Sequence, residues 1–487
     1  MAGPGVAKCV TMRDFGEAPV SAPASLMPGA TVDLVSDSGR WLARTRATSE
    51  AARLVAGDLA IVSLGGGVVL PRGPVDDATE ARYAGAVVGR DGAAHPASLR
   101  WVDGRPLAPE AGDLAAAADA PHVAGTALYL GPLLEAFGHF LVESTARLWA
   151  LDSADAAGAD HVVFSYRDGP APAFAETALA ALGLGRRLRL VGRPTRFDRV
   201  LVPEAAHALG TCVHPAFKRG AERLGAAILA EAGQGAAGEA VYLTRSRLDP
   251  WTVTSAVVGE RQIEAALAAA GVAIVAPETL PLARQIALAR GARRIAGVDG
   301  SALHLALFAE RPLDLAVLCR RPLPRPFPAI DKVRVGASHY LDALARPDDP
   351  RLVPNAHKAR GFPRLLDADR ALVFLARAGF GETPEAHRRA ELAEAAVAEF
   401  NGLALAALAR DAVRRGRPEV AATVEAARRA YPVAADPALD RLIEEMRAAM
   451  DGRATGRGAW KAVRRTARRT SFGALLDRVR AMVGWRR

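Results

Sequence analysis

The sequence predicts an α/β protein of two Rossmann-like lobes facing a cleft, followed by an α-helical C-terminal extension. Three observations predict it. Two blocks of the 487-residue chain alternate short β-branched runs with helical stretches, the signature of a parallel sheet covered by helices. The Gly- and Ala-rich stretch EAGQGAAGEA, at 231–240, separates those blocks as a linker. Residues 383–450 then read as helix throughout.

In chain order, residues 1–125 are rich in Gly, Pro and Ala, with LAIVSL (59–64) and GGVVL (66–70) as small strands between turn signals. From Pro132 to Leu151 the pattern turns helical. Pro132 suits a first helical position, and Leu133, Leu134, Phe137, Phe140, Leu141, Leu148 and Trp149 give a broad apolar surface. HVVFSY (161–166) reads as a buried strand, 174–185 as a helix closed by Gly, and 187–191 and 199–204 as strands. The second block runs strand 241–245, helix 261–270, strand 272–278, helix 282–292, strand 293–298, helix 301–308 and strand 313–319. Residues 320–365, with RRPLPRPFPAI, predict an irregular crossing segment. Within the helical extension, 408–432 resembles one tetratricopeptide-type hairpin, joined at 415–418. One such unit is too few for a free-standing array and is expected to pack on the body or mediate self-association.

Composition narrows the class. Hydrophobic residues make up 50% and charged residues 24%, which excludes a disordered or collagen-like chain. The net charge is +10, and residues 452–487, with ten Arg, one Lys and one Asp, carry all of it. A neutral body argues against specific nucleic-acid binding. The tail at 459–487 interleaves Arg with Trp460, Phe472, Leu475, Leu476, Val479 and Trp485. It reads either as a solvated basic tail or as an amphipathic helix on an anionic membrane surface. There is no uninterrupted apolar run of about 18 residues and no secretory pattern at the N-terminus. Cys9, Cys212 and Cys319 are few, odd in number and far apart. Together these predict a cytoplasmic chain with reduced thiols, peripheral on the inner membrane face at most. His207, Cys212 and His214 lie close in sequence, but without a second ligand pair they read as an ordinary loop rather than a zinc site.

Three constellations can carry chemistry. His139, Glu143 and Arg147 are spaced i, i+4, i+8 on an otherwise apolar helix. They form either a solvated stripe with a Glu143–Arg147 ion pair, or a polar stripe turned into a cleft, where Glu143 or His139 takes a proton from a hydroxyl. In GVDGSALHLALF (297–308), Gly300 and Ser301 stand where a strand gives way to a helix, with Ser301 a good N-cap. Such a turn offers free N–H groups to phosphate, and equally arises at any strand-to-helix junction. Arg245 and Arg247 follow a strand in VYLTRSRL, where guanidinium groups suit a diphosphate. Glu260 and Glu278 are candidates for ribose hydroxyls. DAD at 367–369 sits in a helical context and is discounted as a metal site.

Taken together, GTALYLGPLLEAFGHFLVESTARLWAL (125–151), VYLTRSRL (241–248), GERQIEAAL (259–267) and APETLPLARQIALARGARRIAGVDGSALHLALF (276–308) resemble the family 61 glycosyltransferases. The resemblance implies a GT-B fold, with an acceptor lobe at 1–230 and a nucleotide-sugar donor lobe at 231–345. The helical extension (346–451) and basic tail (452–487) lie beyond it. It further implies inverting transfer to a hydroxyl acceptor without an obligatory metal, in the synthesis of a cell-surface polysaccharide or glycoconjugate, on a glycan or lipid-linked acceptor. By position, it puts His139 and Glu143 on the cleft-facing helix, Arg245 after the first donor-lobe strand and Gly300–Ser301 at the phosphate-facing turn, with His304 beside it; Glu143, already ionised at neutral pH, is the first choice for the base and His139 the second, and Arg247 stands second to Arg245 as donor ligand. Gly259 and Leu305 stand where members often have Asn. These departures motivate the alternative, a catalytically degenerate GT-B scaffold acting through its helical C-terminus.

Overall fold

A computed structural model describes residues 30–73, 85–167, 169–232, 239–248, 257–345 and 362–415. The basic tail, most of the 408–432 hairpin, the centre of the Gly- and Ala-rich linker and Cys9 lie outside the described residues. The chain divides into two compact units, the first drawn from 1–241, 277–317 and 321–340, the second from 242–276, 318–320 and 341–487. The expected donor lobe at 231–345 is therefore not one unit. Its helix Leu282–Gly291, strand Arg294–Val298 and helix Ser301–Phe308 belong to the first.

The first unit contains a seven-stranded sheet in which Leu188–Val191, His161–Ser165, His122–Pro132 and Thr195–Pro203 lie side by side and parallel. Leu128 stands opposite both Val162 and Leu201. Ile61–Gly65 and Val68–Leu70 pair antiparallel with Thr195–Pro203, and Ala86–Val88 extends the edge. Tyr129, Val163, Phe197, Val200 and Val202 join Val69 and Val87 in the core of this sheet. Buried on both faces, such strands carry apolar runs without alternation.

The helix expected from Pro132 begins later. Pro132 closes the strand His122–Pro132, and helical structure starts at Phe137. An apolar run such as ALYLGPLL fits a buried strand as well as a helix, and burial between two parallel neighbours decides for the strand here.

The proline-rich segment is also more ordered than expected, holding the helix Pro326–Val333 and the strand Gly336–Asp342. Pro326 occupies the first helical turn, where a missing N–H leaves no hydrogen bond unmade. Asp331 then ties helix to strand, accepting from Tyr340 Oη and Ser338 Oγ at 2.5 Å each. In the first unit this strand lies between Ala30–Val35 and Asp314–Cys319, with Arg294–Val298 next in order.

In the second unit the helices Ala368–Arg377 and Ala386–Arg415 pack on each other and on Glu260–Ala269. Asp367 caps the first of them by accepting from the Arg370 N–H at 3.0 Å, and Asp369 pairs with Arg389 at 2.6 Å. The DAD sequence thus has structural work. Among the described residues no helix is long and apolar enough to cross a membrane. Cys319 is a buried free thiol.

Candidate functional site

The candidate site is built on one irregular helical segment of the first unit. An α-helical turn, Phe137–His139, widens into a π-helical turn, Phe140–Ser144, before a 3-10 turn, Leu148–Asp152. Changes of helical pitch of this kind recur at functional sites. They also break the i, i+4, i+8 stripe. Arg147 is buried away from Glu143, donating from Nε to the Pro203 carbonyl at 2.9 Å and from Nη2 to that of Ala97 at 2.6 Å. The intrahelical Glu143–Arg147 pair does not form.

Glu143 is held by a different arginine. Arg100, from the short strand Arg100–Val102, donates from Nε to Oε1 at 2.6 Å and from Nη2 to Oε2 at 2.9 Å, a bidentate fork. His139 Nδ1 lies 2.5 Å from Oε2. Burial opposes ionisation of Glu143, but hydrogen bonds from His139 and Arg100, with their charges, outweigh it and bring its pKa down to about 2. An ionised carboxylate only accepts, so His139 Nδ1 carries the proton and Nε2 is left as the basic nitrogen.

Of the two candidate bases, His139 is the more accessible. The Glu143 side chain is 6% exposed and both its oxygens are occupied, whereas that of His139 is 33% exposed. A carboxylate so strongly stabilised is a poor proton acceptor. It is well suited to orienting an imidazole and stabilising the imidazolium, as the aspartate of a Ser-His-Asp triad does. Arg100 was missed because it stands 43 positions from Glu143 with no motif around it. The only sequence signal is an arginine in an apolar strand.

The helix start at Ser301 belongs to the same unit and packs against the His139 turn. Gly138 makes this approach possible, since a Cβ there would stand 2.5 Å from Ser301 Oγ and 3.2 Å from His304 Cε1. Two of the three constellations are thereby brought together. Ser301 is not the N-cap expected, because Gly300 holds that position and Ser301 is the first residue of the 3-10 helix Ser301–Phe308. His304 is buried on this helix, its ring edge against Phe327 at 5.4 Å.

Arg245, Arg247 and Glu260 belong to the second unit, and Glu278 lies exposed on the turn Pro277–Thr279. Arg247 is exposed in the turn closed by the Leu248 N–H and the Arg245 carbonyl. Glu260 is 1% exposed and does not present its carboxyl to a ribose. Its Oε1 accepts from the Arg245 N–H at 3.0 Å and from Tyr242 Oη at 3.2 Å, so it fixes the strand end that carries Arg245. Burial is the main cause of a pKa raised to about 8, with the Arg245 N–H opposing and the Glu264 charge adding.

Gly259, before this helix, has φ +93°, a left-handed position that Gly and Asn adopt most readily. Gly in place of the family's frequent Asn is conformationally equivalent there. Leu305 is buried in the apolar interior and offers no polar group.

Residues 137–315 match the family model described as Glycosyltransferase 61. The match takes in His139, Glu143, Arg245, Glu260, Ser301 and His304, and leaves Arg100 outside it. No curated protein matches the chain.

Proposed function

We propose, from the match of residues 137–315 to the glycosyltransferase 61 family model, that the protein is an inverting glycosyltransferase whose base is His139. The observation that carries the proposal is the Arg100–Glu143–His139 relay, set against the helix start at Ser301. His139 Nε2 takes the proton of an acceptor hydroxyl, the oxygen attacks the anomeric carbon, and the nucleoside diphosphate leaves with the bond's electron pair. Glu143 stabilises the imidazolium. Backbone N–H groups at Gly300–Ser301 meet charge on the leaving diphosphate.

Arg245, with Arg247 second, is proposed as a further diphosphate ligand on the strength of the sequence resemblance. Transfer without an obligatory metal and a GT-B arrangement belong to the same proposal, as does an acceptor leading to a cell-surface polysaccharide or glycoconjugate. Assays with Mg2+ and with EDTA test the metal clause.

The test is a panel of nucleotide sugars, read by calorimetric binding, donor hydrolysis and mass spectrometry of product. His139→Ala and Glu143→Gln are each expected to lower turnover by about a hundredfold or more, and Arg245→Ala to weaken donor binding. Wild-type turnover in His139→Ala overturns the base. Leu305 favours the second reading, a degenerate scaffold, which predicts neither donor binding nor hydrolysis across the panel.

A further inference from the structure

This inference rests on the reading of His139 as the base and asks what kind of acceptor is brought to it. A cluster of charged side chains lies just before His139 in the chain, at the carboxyl edge of the parallel strands of the first unit. Pro132 and Ser165 stand opposite each other at the ends of two of those strands. Just past them the Leu133 N–H donates to the Ser165 carbonyl and the Arg72 N–H to the Tyr166 carbonyl, each at 2.9 Å. Three segments are thus joined at the edge where open α/β sheets take their ligands.

The side chains of these segments converge on one carboxylate. Arg72 donates from Nη1 to Glu135 Oε2 at 3.2 Å, Arg167 donates from Nε to Oε1, and Tyr166 Oη stands 3.1 Å from Oε1. Burial opposes ionisation of Glu135, but hydrogen bonds from Arg167 and Tyr166 and the charges of both arginines outweigh it and lower its pKa. One negative charge therefore faces two guanidinium groups. The charges that act on the Tyr166 hydroxyl are those of Glu135, Arg167 and Arg72, so the cluster keeps an excess positive charge in a body whose charges sum to zero.

That excess is open to solvent. The side chains of Arg72 and Glu135 are 8% and 24% exposed, but that of Arg167 is 55% exposed, so an anion reaches it without any opening of the fold. The surroundings are held in place. Glu135 fixes the guanidinium, and Phe174, on the helix Ala173–Ala181 that follows Arg167, meets both Phe137 and Phe140 at 5.3 Å. Those two rings flank Gly138 and His139. Even fully extended, the chain from Glu135 to His139 spans no more than about 14 Å, a distance that a single glycan chain covers.

A guanidinium already oriented by one carboxylate loses little freedom on taking a second anion, and its planar fork matches carboxylate and phosphate alike. The turn proposed for the donor's diphosphate, Gly300–Ser301, follows Arg294–Val298, a strand of another sheet. The cluster is therefore read as part of the acceptor side. We propose that Arg167, oriented by Glu135 and supported by the charge of Arg72, binds an anionic group of the sugar acceptor, a carboxylate or a phosphate, and that the protein thereby selects an acidic glycan over a neutral one.

The test is a set of dissociation constants, read by ligand-detected NMR on the full chain, for methyl glucuronide, glucose 6-phosphate and the neutral methyl glucoside, with uridine diphosphate as the donor control. At low salt at least one of the two anionic sugars should bind the wild type about tenfold more tightly than methyl glucoside, and the preference should shrink as salt rises. Methyl glucuronide ahead assigns a carboxylate, and glucose 6-phosphate ahead assigns a phosphate. Arg167→Gln should erase the preference while affinity for methyl glucoside and the Tm stay at wild-type values. Arg167→Lys, which keeps the charge and loses the fork, should keep part of it.

The proposal is overturned if neither anionic sugar binds more tightly than the neutral one, or if Arg167→Gln retains the preference. It is overturned too if that variant loses affinity for uridine diphosphate in step with the anionic sugars, which would make Arg167 a donor ligand. The wild-type titrations decide the first of these even if a variant fails to fold. Turnover is read separately. A chain that prefers anionic sugars yet consumes no donor sinks the enzymatic reading and leaves this one standing, whereas equal transfer to acidic and neutral acceptors sinks this one and leaves the enzyme.

Discussion

At Glu143 two demands meet: a carboxylate deep in the first unit must stay ionised, and it must hold an imidazole at the surface. Arg100 meets the first and the short contact with His139 the second. Removing one member of such a buried pair strands the other charge, so Arg100→Met should destabilise the protein by about 3–5 kcal/mol in chemical denaturation. Adding Glu143→Leu should recover a large part of that loss. A cost that merely doubles in the double variant would show that the two side chains act independently.

The same pair sets an acid limit. The Glu143 pKa is lowered from 4.5 to about 2, so its contribution is fully present above about pH 4.5 and is lost as pH falls toward 2. The denaturation midpoint of wild type should fall faster across that window than that of Glu143→Gln. Spacing alone brought out His139 and Glu143, because i and i+4 are neighbours on any helix. It gave no sign of Arg100, which comes from a strand 43 residues earlier, because periodicity carries no information about tertiary partners.

Between elements, the close approach of the His139 turn and the helix Ser301–Phe308 depends on the absent side chain of Gly138. Gly138→Ala places a methyl 2.5 Å from Ser301 Oγ and 3.0 Å from Ser301 Cβ, and overpacking of that kind costs about 1–3 kcal/mol. A lowered Tm is expected, with partial recovery on adding Ser301→Gly, where the clashing atoms are gone. An unchanged Tm in the single variant would mean that the two elements do not hold this contact.

In the second unit, Glu260 opens the helix Glu260–Ala269 from inside the core. Its pKa is raised to about 8, so the stability it contributes is fully present below about pH 4.5 and is lost as pH rises through about 8. Glu260→Gln keeps an oxygen for Tyr242 and the Arg245 N–H and has no charge to bury. Wild type should lose Tm between about pH 4.5 and about pH 8 while the variant stays nearly flat; parallel curves would refute the assignment. Strands with β-branched runs between turn residues, such as Arg294–Val298 and Asp314–Cys319, were legible from sequence. Pro132 and the prolines near 326 were not, because a proline tolerates either a strand end or a first helical turn and only packing chooses between them.

For the whole molecule the governing fact is charge placement. Residues 452–487 carry the entire +10, and the rest of the chain sums to zero, so the body has no net attraction to an anionic surface at neutral pH. Lys and Arg near such a surface contribute about 1 kcal/mol each, screened within a Debye length, and Trp460, Phe472 and Trp485 add apolar groups suited to the interface. The full chain should therefore co-sediment with vesicles of phosphatidylcholine and phosphatidylglycerol, release as salt rises, and ignore phosphatidylcholine alone. Deleting 452–487 should abolish the binding. Equal binding of the two chains to anionic vesicles would remove the tail from the account of where the protein works. Binding that survives high salt would assign the attraction to the apolar residues of the tail rather than to its arginines.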